Sequence, residues 1–200
     1  MKNKSHKSLM YLQQLSDLEL FRLIEERDKT ALETIFNRYY ESLCRFGFTY
    51  TKELDIVEET VSDVFFQLWN SGNRIQEIRN PKPYLYVVVK NKLLASVSTS
   101  SLERRLGPGE ENRHVSSPSI EQQIIDQEEK EIFGRKIEKI LCQIPEKSRQ
   151  VFEMSRLDGL KYKEISEILG ISIKTVENHM AYALKIIRNL VIKRSNVNHT

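Results

Sequence analysis

The chain has 200 residues, 40% of them apolar, and a formal net charge of +3, which allows one or two compact domains with small cores and is too mild a charge to argue nucleic-acid binding by itself. No apolar run approaches the roughly 20 residues of a membrane span, and the basic N-terminus leads into no export signal of the usual kind, so the chain is expected to stay in the cytoplasm. The charge is unevenly placed: from Asp17 to Trp69 acidic residues outnumber basic ones by twelve to six, whereas Pro145 to Thr200 carries ten Lys or Arg against six Asp or Glu, so that one part suits a basic protein partner and the other DNA.

Residues 1–15 are expected to be disordered. Order begins at Ser16, where Ser-Asp-Leu-Glu forms a capping box with Glu19 at the third helical position, and a short helix should run to about Arg27. Asp28 then caps a longer helix in which Leu32, Ile35, Phe36, Tyr39, Leu43, Phe46 and Tyr50 follow a period near 3.6. The segment Asp55 to Trp69 repeats the pattern, with Val57, Val61, Val64, Phe65 and Leu68 inward and Glu58, Glu59, Ser62, Asp63 and Gln67 outward. Phe66 lies outside that stripe, and an exposed aromatic side chain is better explained by a partner than by a core.

Pro81 and Pro83 open a helix through Tyr84, Leu85, Tyr86 and the Val87 to Val89 run, with Lys82, Lys90 and Lys92 around it. The valines alone would suit a strand, but nothing nearby offers a pairing partner. From Ser96 to Ser119 the composition turns to Ser, Thr, Gly and Pro with little aliphatic content, as in a flexible linker. A second helical lobe, residues 120–194, follows it: Ile120 to Leu141, then a helix opened by Pro145 that holds Val151, Phe152 and Leu157 and ends at Asp158-Gly159, with 195–200 as a tail.

The stretch from Tyr162 to Ile187 reads as a helix-turn-helix. Ile165, Ile168 and Leu169 share one face of the first helix, Gly170 stands where the chain needs positive φ to leave it, and Ser172 is a natural cap for the second helix. There, Ile173, Val176, Met180, Leu184 and Ile187 form an apolar stripe, opposite Lys174, Thr175, Asn178, Tyr182 and Lys185. A tight Gly-Ile-Ser connection forces a steep crossing and lets the second helix enter a major groove, where Asn178 can pair with an adenine edge, Lys174 and Lys185 can reach guanine or phosphate, and Arg188 continues the positive charge toward phosphate. The bland alternative is a helical corner with a solvated polar face.

Taken together, these motifs resemble one family. Asp55 to Trp69 resembles the polymerase-binding helix of sigma factors, Asn80 to Lys92 their promoter-melting segment, and Ile144 to Arg188 their upstream-promoter-binding domain. The chain is thus similar to extracytoplasmic-function sigma factors of the sigma-70 family, which implies an all-α fold of two small domains, region 2 over residues 16–95 and region 4 over 120–194, joined by the linker.

The resemblance implies three sets of contacts. Glu58, Glu59, Ser62, Asp63, Phe66 and Gln67 would meet a basic coiled coil of core RNA polymerase, with complementary charge steering the encounter. Lys82, Tyr84, Tyr86, Lys90, Asn91 and Lys92 would meet the melted promoter element, behind a base-accepting loop from Arg74 to Lys82; capturing unstacked bases needs aromatic surfaces and cations. One of Tyr84 and Tyr86 is expected in the core. Lys174, Thr175, Glu177, Asn178, His179, Tyr182, Lys185 and Arg188 would face the upstream element. An anti-sigma factor is the implied regulator.

Two departures from the family pattern stand out. Lys161 occupies the cap position where many relatives have Ser or Thr, so that helix is expected to fray or lean on tertiary contacts. Glu177 and Tyr182 replace basic residues that some relatives use.

No cofactor or catalytic constellation is expected. Cys44 and Cys142 stand among apolar neighbours as buried thiols, and His6, His114, His179 and His199 are scattered. The rival reading is a regulator of response-regulator type sharing the turn motif, which would require a receiver domain of alternating strands and helices; an enzyme acting on nucleic acid would require carboxylate, phosphate-loop or metal motifs.

Overall fold

A computed structural model describes residues 11–103 and 140–197. Among them every regular element is helical, and the chain divides into two compact units, the first comprising the chain up to Leu102 together with Glu167–Leu169. The expected linker from residue 104 to 119, most of the helix expected from Ile120 to Leu141, residues 1–10 and the last of the tail lie outside the described residues.

The first lobe comprises α1 (Asp17–Glu25), α2 (Lys29–Gly47), α3 (Leu54–Asn70), a 3-10 helix (Gly72–Glu77) and α4 (Pro81–Glu103). Order starts ahead of Ser16: residues 11–14 are already helical with Leu12 buried. Arg38 anchors this entry, donating to the carbonyls of Gln13 and Leu15, each at 3.2 Å, and pairing with Asp17. Ser16 and Glu19 form the reciprocal capping box, and Asp28 accepts from the amides of Thr30 and Ala31 at 2.8 and 3.1 Å. Helix α1 stops at Glu25, because Arg27 turns to φ 67 between the two helices.

Helix α2 ends at Gly47 rather than reaching Tyr50; Ile35, Tyr39, Leu43 and Phe46 of the expected stripe are buried, and the buried face widens toward Ala31, Thr34 and Gly47, leaving Leu32 and Phe36 half-buried. The cause is close approach to α3. A Cβ on Gly47 would lie 2.8 Å from Cγ1 of Val57 and 3.3 Å from Cδ1 of Leu93, so only glycine lets the neighbouring helices seat at this depth. Helix α3 follows its expected pattern, with Val57, Val61, Val64, Phe65 and Leu68 all buried.

Residues Pro81 to Glu103 form one helix, and the valines within it are helical. Helicity runs eight residues into the stretch expected to be linker. Serine and threonine cost only tenths of a kcal/mol each inside a helix, and no Gly or Pro intervenes before Gly107; Ser96 also folds its hydroxyl back onto the carbonyl of Leu93 at 2.9 Å.

The second lobe comprises α5 (Glu146–Arg156), α6 (Tyr162–Leu169) and α7 (Ile173–Val197), with α5 packed on α7. Its core is Ile144, Val151, Met154, Leu160, Ile165, Val176, Met180 and Ala183. Cys44 is buried as expected but Cys142 is exposed: it sits in the turn before α5, and the apolar slot there is taken by Ile144.

Candidate functional site

The turn between α6 and α7 is built by its sequence. Gly170 has φ 71, its amide donates to the carbonyl of Ser166 at 2.9 Å, and the amide of Ile171 donates to the same carbonyl at 3.1 Å. Ser172 caps α7 by accepting from the amide of Thr175 at 3.0 Å. At the start of α6 Lys161 supplies no side-chain cap, but Glu164 reaches back to accept from the Lys161 amide at 2.7 Å, so half of a capping box holds this end.

Helix α7 buries Val176, Met180 and Ala183, with Ile187 half-buried, which corrects the expected stripe. Leu184 is 38% exposed and Ile173 46%: the covered face follows positions 176, 180, 183 and 187, and Leu184 lies about 100° around the helix from Ala183. Lys174, Glu177, Asn178, Tyr182, Lys185 and Arg188 are exposed, and Thr175 is half-buried beside Ser172. Lys174 pairs with Glu177 at 3.2 Å, so the two charges largely cancel at the head of the helix and leave Lys185 and Arg188 as the positive end. His179 is half-buried, and its Nδ1 lies 3.0 Å from the hydroxyl of Ser148 on α5, a contact not foreseen. Ser148, 31 residues away, carries no local signal that sequence reasoning could use.

In the first lobe α3 presents Glu58, Glu59, Ser62, Asp63, Phe66 and Gln67 to solvent on one face, with Phe66 65% exposed. Asp63 is tied to Lys92 of α4 at 3.4 Å, which joins one residue from each of two expected surfaces. Beneath this face Cys44 is pushed up to about 11, by burial first and then by the charge of Glu58. The Tyr40 hydroxyl is raised as well, by burial first, then by Cys44 and then by the charge of Glu58.

On α4, Tyr84 is half-buried while Tyr86 is completely enclosed and packs edge-on to Phe46, with ring centroids 5.0 Å apart. Tyr86 therefore belongs to the core and drops out of the promoter-facing set. Asn91 is exposed, and Lys82, Lys90 and Lys92 are half-buried. The Lys82 ammonium stands 5.8 Å over the ring of Tyr39, whose hydroxyl donates to Asp17 and is held well above the usual phenol range by burial and then by that bond. Between α1 and the loop leading to α4 lies a groove of 520 Å³ lined by Leu18, Phe21, Arg22, Ile75, Ile78 and Arg79 among others. It combines apolar walls with two guanidinium groups, Arg22 and Arg79, and two carboxylates, Glu25 and Glu26.

Comparison with known proteins gives two family matches in tandem. Residues 35–101 match the family described as Sigma-70 region 2, and residues 134–187 match that described as Sigma-70, region 4. The chain is similar to the ECF RNA polymerase sigma-E factor of Haemophilus influenzae, with 25% identity over 190 residues, 90% of this chain and 97% of the relative. Its fold is similar to that of RpoE, solved with the anti-sigma factor NepR from Bartonella quintana, at TM-score 0.55 and 16% identity, covering 80% of this chain and 95% of that one. It is also similar to CnrH, solved with the cytosolic domain of CnrY, at TM-score 0.53 and 17% identity, covering 88% and 97%.

Proposed function

Since the chain belongs to the sigma-70 family, and to its extracytoplasmic-function group, we propose that α3, α4 and α7 carry the contacts by which it acts as an RNA polymerase sigma factor, binding core polymerase and directing promoter recognition and initiation. The observation that carries this reading is the order of the two matches, each on a lobe with an exposed face suited to its partner: acidic with a bare phenylalanine on α3, polar and basic on α7.

The α3 face, Glu58, Glu59, Ser62, Asp63, Phe66 and Gln67, meets a cationic surface of core polymerase, with Phe66 as the apolar anchor and the carboxylates setting rate and register. Tyr84, Lys82, Lys90, Asn91 and Lys92 serve the melted strand, and the groove against Arg79 offers apolar walls for the ring of an unstacked base, while Glu25 and Glu26 balance its two guanidinium groups and leave the backbone to the α4 lysines. Asn178 reads base edges from α7, with Lys174, Thr175 and Tyr182 beside it and Lys185 and Arg188 on phosphates. The protein works in the cytoplasm, adds no catalytic turnover of its own, and is restrained by an anti-sigma factor, a reading supported by the likeness to RpoE, which was solved in complex with the anti-sigma factor NepR.

Run-off transcription with purified core bacterial polymerase tests the reading. Addition of this chain should produce discrete start sites at a subset of promoters in a genomic library, and a library that yields none refutes it.

A further inference from the structure

We propose that Ser148 fixes the orientation and tautomer of His179 so that the outer ring nitrogen, Nε2, donates a hydrogen bond to a backbone phosphate of the upstream promoter element. The inference rests on the promoter-reading role of α7 and assigns one further contact within it.

His179 sits on a border. At about 100° per residue it lies roughly 60° from Val176 and 40° from Ala183 on one side, and roughly 40° from Thr175 and 60° from Tyr182 on the other. Val176 and Ala183 are fully buried, whereas Tyr182 is half-exposed. The half-buried imidazole therefore has one edge toward the core and one toward solvent. Its inward nitrogen, Nδ1, is 3.0 Å from the Ser148 hydroxyl. Ser148 is 4% exposed and belongs to the first turn of α5, where its amide bonds the Pro145 carbonyl at 2.9 Å, so the hydroxyl's position is set by a packed helix rather than a loop.

The chemistry follows from the two nitrogens of a neutral imidazole, one of which donates while the other accepts. When the serine hydroxyl donates to Nδ1, the ring proton resides on Nε2, and the bond made by one nitrogen defines what the other can do. Beside DNA that tautomer is favoured, since an Nε2 lone pair would be repelled by phosphate and an Nε2–H attracted. Should the ring gain a second proton, the serine oxygen accepts instead and Nε2 still donates, so the contact survives in both charge states. A flank position meets the walls of a groove, where phosphates run, whereas Asn178, about 160° from Val176, meets its floor. The ring is held before DNA arrives, so the contact costs less ordering than a lysine would.

Holoenzyme made from the full chain and core polymerase tests this on promoter duplexes carrying a single neutral methylphosphonate at successive upstream-element positions. At one position the modification should weaken wild-type binding roughly 3- to 10-fold and have no further effect on His179→Ala, which shows the same deficit on unmodified DNA. His179→Gln, whose amide can accept from Ser148 and donate outward, should recover most of the affinity, and Ser148→Ala should lose part of it with base preferences unchanged. In the free full chain at pH 8, ¹⁵N shifts of the His179 ring should report the Nε2–H tautomer in wild type and a mixture in Ser148→Ala. The proposal is overturned if no phosphate is silenced by His179→Ala, or if the wild-type ring carries its proton on Nδ1. If wild-type holoenzyme shows no dependence on the upstream element and Asn178→Ala changes nothing, the promoter-reading role of α7 falls, and this contact with it.

Discussion

Truncating Phe66 to alanine separates a polymerase-facing surface from a merely solvated one. A phenylalanine covered on all sides removes about 200 Å² from water. With 65% of Phe66 open in the free chain, a partner that seals it covers a further ~130 Å², about 3 kcal/mol at ~25 cal/mol per Å² and hence an affinity loss of roughly 100-fold. The fold itself stands to lose only the third already in contact, below about 2 kcal/mol. Titrating labelled chain with core polymerase measures the first quantity, and urea unfolding of the free variant measures the second. Glu59, Ser62, Asp63 and Phe66 follow i, i+3, i+4, i+7 spacing and share one face of α3, so Glu59→Arg should slow association and make it less dependent on salt while adding little to the dissociation rate. A Phe66→Ala chain that unfolds cooperatively near the wild-type midpoint, yet binds core polymerase within threefold of wild type, shows that this face has another purpose.

Three further outcomes are expected. Asn178→Ala should change the preferred base at one upstream position at a cost of ~1–3 kcal/mol against the best site, whereas Lys185→Ala should weaken all sites alike and lower the salt slope by about one, both readable from binding to a randomised library at two salt concentrations. Gly47→Ala should lower stability by a net ~1–2 kcal/mol in urea titrations, because its Cβ would stand 2.8 Å from a methyl of the β-branched and therefore stiff Val57, a clash larger than the helix propensity gained. At pH 8 a thiol-alkylating reagent should modify exposed Cys142 in the native chain and spare Cys44 until it unfolds; with the Cys44 pKa raised from 9.0 to about 11, the fold retains a proton that the unfolded chain releases, so this site's contribution to stability is complete below pH 9 and fades as pH rises toward 11.

The elements that were legible in the sequence are those whose causes are local. Ser16, Asp28, Gly170 and Ser172 act within four residues of themselves, and the α3 stripe carries its burial in its own period. What escaped depends on a neighbour distant in the chain. Tyr84 and Tyr86 are both flanked by apolar residues on a helix with no dominant face, and Phe46, some forty residues earlier, decides that Tyr86 is the one enclosed. The α7 stripe runs through Ala183 instead of Leu184, and which of two neighbouring apolar residues is covered depends on the helix packed against them. A residue-type rule would also have kept the Ser and Thr run after Ala95 out of a helix, although nothing in those side chains breaks one. Among the candidate site residues, Phe66 was identifiable from its place off the stripe, while the inward turn of His179 toward Ser148 was not.

The pair between Asp63 and Lys92 links two of the proposed surfaces and complicates the obvious test of either. Its charges are 3.4 Å apart with side chains 57% and 27% exposed, so solvent screening leaves it worth no more than about 1 kcal/mol to the fold. Each partner instead becomes available to a stronger competitor, Asp63 to a cationic polymerase surface and Lys92 to promoter phosphate. Asp63→Lys alone places two ammonium groups side by side, and a loss of polymerase binding could then arise from a displaced Lys92 as readily as from the missing carboxylate. The exchanged variant, Asp63→Lys with Lys92→Asp, restores an attractive pair and resolves the ambiguity. Its urea midpoint should return to within ~0.5 kcal/mol of wild type, since surface exchanges away from the core cost little. Core-polymerase affinity should remain as low as in the single variant, because the charge presented at position 63 is still reversed. Recovery of that affinity in the exchanged variant would mean that Asp63 serves to hold Lys92 and that the polymerase reads only Glu58, Glu59 and Phe66 on this face.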